Sequence, residues 1–163
     1  MNEMLQFEIE KCRGLRRFPM YFRLKLDVCG IKLSKRDWIS FDLAEKERLI
    51  SMPCETPEQI MAFREKLKSM IRACGGNSFE FPAIGVLHHG QGPWADKAKV
   101  PDTVRQQVNA LLNGALNLDR WANLSDLQRF ALIKLTTPGK IKPDLRIVLE
   151  EFSLLDDGKE LHE

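Results

Sequence analysis

The segment PAIGVLHHGQGPWADKAKVP, residues 82–101, holds the chain's only adjacent histidines, His88 and His89. Imidazoles titrate near neutral pH, ligate metals and hydrogen-bond anions, so this is the first place to look for chemistry. Neighbouring loop residues point in different directions, which argues against both rings on one ion. The remaining histidine, His162, lies in the tail. The segment therefore reads as a recognition loop or an ordinary polar loop. Its candidate binding residues are His88, His89, Gln91, Trp94 and Lys97, with no metal and no catalytic residue assigned. Trp94, beside Pro93, suits either a protein contact or a ring folded onto the core.

A second candidate is KCRGLRR, Lys11 to Arg17, the densest basic cluster. Arg16 and Arg17 stand there as candidate binding residues against the plainer reading of a solvated basic turn. Four cysteines, Cys12, Cys29, Cys54 and Cys74, form no C-x-x-C pair, so buried thiols are expected in place of a zinc site. Cys54 precedes the helix start ETPEQI, where backbone N–H groups could lower a thiol pKa. No P-loop, G-x-G-x-x-G, H-E-x-x-H, G-x-S-x-G or EF-hand pattern occurs. Carboxylates are abundant but fall at helix starts and on polar faces. No cofactor and no reaction is indicated.

The 163 residues, 44% hydrophobic and 29% charged, fit one globular helical domain over 1–163. A net charge of +2 is too mild for a nucleic-acid binder. No apolar run is long enough for a membrane span, and MNEMLQFEIE lacks the layout of a signal peptide, so a cytoplasmic protein is expected.

Helix punctuation is dense. Pro19 is expected at a first helical position, with the helix running to Gly30 as the residue after its cap. Asp42 with Glu45, Thr56 with Gln59 and Ser125 with Gln128 are capping-box pairs. Ile60, Phe63, Leu67, Met70, Ile71 and Cys74 form one apolar stripe, ended by Gly75-Gly76. Further helices are expected from Pro101 to about Gly114 and from about Pro143 to Leu155. LQFEIE and SFEFP are extended candidates that pair as a small ribbon.

The halves echo each other. Pro19 and Pro101, Trp38 and Trp121, the boxes at Asp42 and Ser125, and Gly30 and Gly114 recur at offsets of 82 to 84. The expected fold is mainly α: about six helices in two related three-helix halves, with pseudo-repeats at 7–74 and 79–155. The histidine segment is then an insertion of about ten residues carried only by the second half, and loops carry function more often than the elements they join.

The segments LRRFPMYFRLKLDVCGIKLSKRDWISF and LISMPCETPEQI together resemble the nitrate reductase-associated protein family. The specific part is P-M-x-x-R-x-K-L-D-x-C-G-I-K-L, Pro19 to Leu33, and the resemblance covers roughly Phe7 to Met70. It implies a gene neighbourhood of nitrate reductase and molybdenum-cofactor genes, and it carries no catalytic residues. The expected function is a non-enzymatic accessory or maturation protein. It would bind nitrate reductase or its cofactor-assembly proteins through the 85–97 loop and the Lys11–Arg17 segment. The alternative is a protein or enzyme that uses the histidine loop to bind a small anionic ligand, pterin- or nucleotide-like.

Overall fold

Local capping chemistry sets most of the helix boundaries. A computed structural model of the chain describes residues 4–88, 92–112, 116–138 and 145–154. These fall into two units, Met1–Gly92 and Pro93–Glu163. The described residues are mainly helical, with one two-stranded antiparallel sheet.

The first unit opens with 3₁₀ turns at Gln6–Glu8 and Arg13–Leu15. Then follow α1 (Met20–Cys29), β1 (Ile31–Lys32), α2 (Lys35–Ser40), α3 (Leu43–Ser51), α4 (Pro57–Ala73), β2 (Phe79–Glu80) and α5 (Ile84–Leu87). The boxes at Asp42–Glu45 and Thr56–Gln59 form as expected, with Pro57 in the first turn of α4. The α4 stripe buries Ile60, Phe63 and Leu67 completely. Helix α1 packs on α4 and α5. At its centre Phe22 lies 5.1 Å from Trp38 and 5.9 Å from Phe63 between ring centroids.

Three expectations need correction. Pro19 is the N-cap of α1, extended at φ −72° and ψ 167°, and Met20 begins the helix. Proline carries no capping side chain, so the cap comes from elsewhere: the buried Glu8 carboxylate accepts the Met20 N–H at 2.8 Å. That role fixes LQFEIE as a 3₁₀ turn in place of a strand, because Glu8 must turn inward to reach the helix end. The ribbon therefore has another partner. β1 pairs with β2, Ile31 opposite Glu80 and Lys32 opposite Phe79.

The ribbon is held by two buried devices. Gly30 ends α1 at φ 80°, a left-handed conformation that glycine adopts without penalty. A Cβ there would collide with the Phe81 carbonyl and lie 2.7 Å from Arg64 Nη1. Asp37 of α2, 2% exposed, accepts the Asn77 and Ser78 N–H groups at 3.1 and 3.0 Å, and the Ser78 hydroxyl as well. Its carboxylate thereby fixes the chain leading into β2.

The second unit contains a 3₁₀ turn at Pro93–Ala95, then α6 (Asp102–Leu112), α7 (Leu118–Asn123), α8 (Asp126–Leu135) and α9 (Leu145–Glu151). The Ser125–Gln128 box caps α8. Val104, Val108, Trp121, Phe130, Leu132, Val148 and Leu149 form its core. Arg129 is 1% exposed and holds this unit together. Its guanidinium donates to the carbonyls of Trp94 at 2.5 Å and Trp121 at 3.3 Å, and also to those of Leu124 and the carboxylate of Asp126. Gly114, expected to close α6, and Leu155, expected to be buried by α9, lie outside the described residues.

The six helices read from the sequence are all present. Three short ones, α2, α5 and α7, come in addition. Two of them carry Trp38 and Trp121. Ser34 caps α2 and Asn117 caps α7, each side chain accepting an N–H three residues on.

Candidate functional site

Trp38 has one polar atom, and the fold spends it on a turn. The indole N–H donates to the Leu15 carbonyl at 2.8 Å, while the ring itself is 1% exposed. Leu15 sits at φ 57°, next to Gly14 at φ 65°. A left-handed leucine costs about 1–2 kcal/mol and persists only where its surroundings hold it. Here the bond from Trp38 and the Leu15 N–H to Cys12 O bond, at 2.9 Å, do so. The result is a reversed chain that presents Arg16 and Arg17 beside α1 and α2.

These arginines line a cavity of about 610 Å³ together with Lys11, Arg23 of α1 and Lys35 of α2. Phe18, Trp38 and Ile39 provide its apolar wall. The Arg23 guanidinium lies over the Phe18 ring at 5.3 Å from the centroid. Glu10 is the cavity's carboxylate, and it pairs at 2.6 Å with Arg13, outside the lining. Among the described residues Arg16, Arg17 and Lys35 have no ion-pair partner. Ile39 is 66% exposed at the cavity's edge. The site is thus a set of solvated cations around an apolar centre. It can attract and hold negative charge. It offers no nucleophile with an adjacent base.

The other sequence candidates fall apart from it. His88 is exposed at the end of α5, where its backbone N–H donates to Ile84 O at 2.8 Å. Lys97 is exposed in the second unit. Trp94 is buried, edge-on to Phe130 at 5.4 Å, which matches the reading of a ring folded onto the core. His89 and Gln91 lie outside the described residues. The sequence reading found Arg16 and Arg17 but not Phe18, Arg23, Lys35 or Ile39. The usable signal was Trp38, a buried tryptophan whose N–H needs an acceptor.

Burial holds three of the four cysteines in the thiol form. Burial pushes the thiols of Cys12 and Cys29 up from 9.0 to about 11 and about 12. Cys54, where a helix start could have lowered the thiol, is also raised by burial, to about 11, with the nearby Lys25 charge opposing the rise. Lys25 is itself buried and donates to the Ile50 and Met52 carbonyls at 2.5 and 2.7 Å, closing the end of α3. A smaller cavity of about 380 Å³ is lined by Cys54 and by this Lys25, whose ammonium is already engaged by those carbonyls. Among the described residues, no group of three or more His, Cys, Asp or Glu side chains could hold a metal ion, and no helix is long and apolar enough to cross a membrane.

Fold and cavity define a small, mainly helical protein with a cationic surface cavity. The chain belongs to the family of conserved nitrate reductase-associated proteins, which it matches over residues 4–152. The match extends through both units, well beyond the first-half segments that carry the resemblance in sequence. No curated protein and no solved structure matches the chain.

Proposed function

We propose that this chain is a non-enzymatic, cytoplasmic accessory protein of nitrate reductase. It binds the enzyme, or the proteins that assemble its molybdenum cofactor, and supports maturation or activity. The observation that carries this reading is membership of the nitrate reductase-associated family over residues 4–152. The solvated cations and exposed Ile39 of the first unit's cavity support a binding role, since arginine and apolar groups together are favoured at protein interfaces.

The test is nitrate reductase activity, and the molybdenum content of the purified enzyme, in cells with and without this gene. Lower specific activity in the deletion strain, restored by the gene in trans, is the expected result. Equal activity and equal molybdenum loading would refute the proposal.

A further inference from the structure

The first unit's cavity has a chemical character more specific than positive charge. Arg16, Arg17, Arg23 and Lys35 come from the turn before α1, from α1 itself and from α2. All four are exposed. Between them lie half-buried Phe18 and the 66%-exposed Ile39. A site for a small phosphate is normally built from backbone N–H groups and fixed, buried donors. Here the donors are long, solvated side chains around an apolar centre, the layout of a protein-binding surface with anchor positions inside a polar rim. The unpaired cations leave an uncancelled positive field over that centre, and electrostatic matching selects a partner of the opposite sign.

We infer that this cavity is the docking site for an acidic segment of a partner protein, with Asp or Glu side chains on Arg16, Arg17 and Lys35 and an apolar side chain against Phe18 and Ile39. The arginines grip carboxylates in bidentate fashion, which lysine cannot do, so Arg16 and Arg17 are the principal anchors. The strained Leu15 turn and its bond from Trp38 set where those anchors stand. The inference rests on the protein-binding reading above and names the chemistry of the contact.

The test uses the full chain and a fluorescein-labelled peptide of repeating Glu-Glu-Leu, followed by fluorescence anisotropy, with a Lys-Lys-Leu peptide as control. The acidic peptide should bind, and added salt should weaken it. Arg16→Glu with Arg17→Glu should weaken it by roughly tenfold or more, whereas Lys97→Glu with Lys99→Glu, the same charge change in the second unit, should not. Circular dichroism confirms that each variant is folded. Ile39→Ser, which leaves the charge untouched, should also weaken the peptide. No binding by the native chain, equal binding by the Arg16/Arg17 variant, or displacement of the peptide by tripolyphosphate at equal or lower charge concentration would overturn the inference. Capture of nitrate reductase by a chain that ignores the peptide leaves the accessory role standing and removes the acidic-segment site. Peptide binding at the cavity with no effect of gene deletion on nitrate reductase does the reverse.

Discussion

Arg129 shows how much one side chain can organise. Its planar fork reaches the carbonyls of Trp94 and Leu124 and the carboxylate of Asp126 from a fully buried position. Arg129→Ala leaves those buried carbonyls without donors and opens space beside Phe130. We expect a loss of about 3 kcal/mol in urea unfolding, with a weakened near-ultraviolet signal from the released Trp94. Arg129→Lys keeps the charge but presents a single point of donation, so it recovers less than half of that loss. The thiols give a second test at this scale. With pKa values of about 11 to 12, Cys12, Cys29 and Cys54 hold about one thiolate in a thousand or fewer at pH 8. Iodoacetamide should therefore label the exposed Cys74 first, read by peptide mass spectrometry. The sign of the pH effect follows. Native pKa values raised above 9.0 leave stability intact below pH 9, and it is lost as pH climbs through about 11 to 12. Tyr21, raised by burial, acts in the same direction, and Lys25, lowered by burial, acts against it.

At the scale of elements, the helix ends divide into those capped from next door and those capped from afar. Asp42, Thr56 and Ser125 each accept an N–H three residues on, so their helices could be read directly from short strings. α1 is different, because its cap is Glu8, twelve residues upstream. Glu8→Ala should cost about 1–2 kcal/mol in urea unfolding, and Glu8→Gln, which keeps an acceptor but not the charge, only part of that. The same division explains what sequence reading could not reach. Alternation of Leu5, Phe7 and Ile9 suggested a strand, yet the demand of a distant helix end made a turn. The pairing of Ile31 with Glu80 spans the whole of α2 to α4, and nothing local announces it. Likewise Lys35 joins Arg16 and Arg17 only because Trp38, on the same short helix, is tied to Leu15. The arginine pair was legible. The cavity around it was not, since its walls come from three elements.

At the scale of the whole molecule, the two units repeat a series of local devices. Ser34 and Asn117, Trp38 and Trp121, and Asp42 and Ser125 each stand 83 positions apart. Within its own unit each tryptophan is buried and donates its N–H to a carbonyl upstream, Leu15 in one and Asp96 in the other. We infer that the units descend from one duplicated segment; the stretch up to His88, read from the sequence as an insertion in the second half, lies in the first unit. A backbone superposition of the units that fails to bring the three pairs together would contradict this. What differs between the units also bears on function. Eighty-three positions after the Arg16–Arg17 pair stand Lys99 and Val100. The first unit thus keeps the cationic cavity, and the proposal open to the most direct test is that this protein binds nitrate reductase. The most direct measurement is biolayer interferometry between the purified chain and purified nitrate reductase, at low and at high salt. The account predicts saturable binding that weakens as salt rises and that the Arg16→Glu, Arg17→Glu variant largely loses. Absence of binding to both the mature and the cofactor-free enzyme, at either salt concentration, would contradict it.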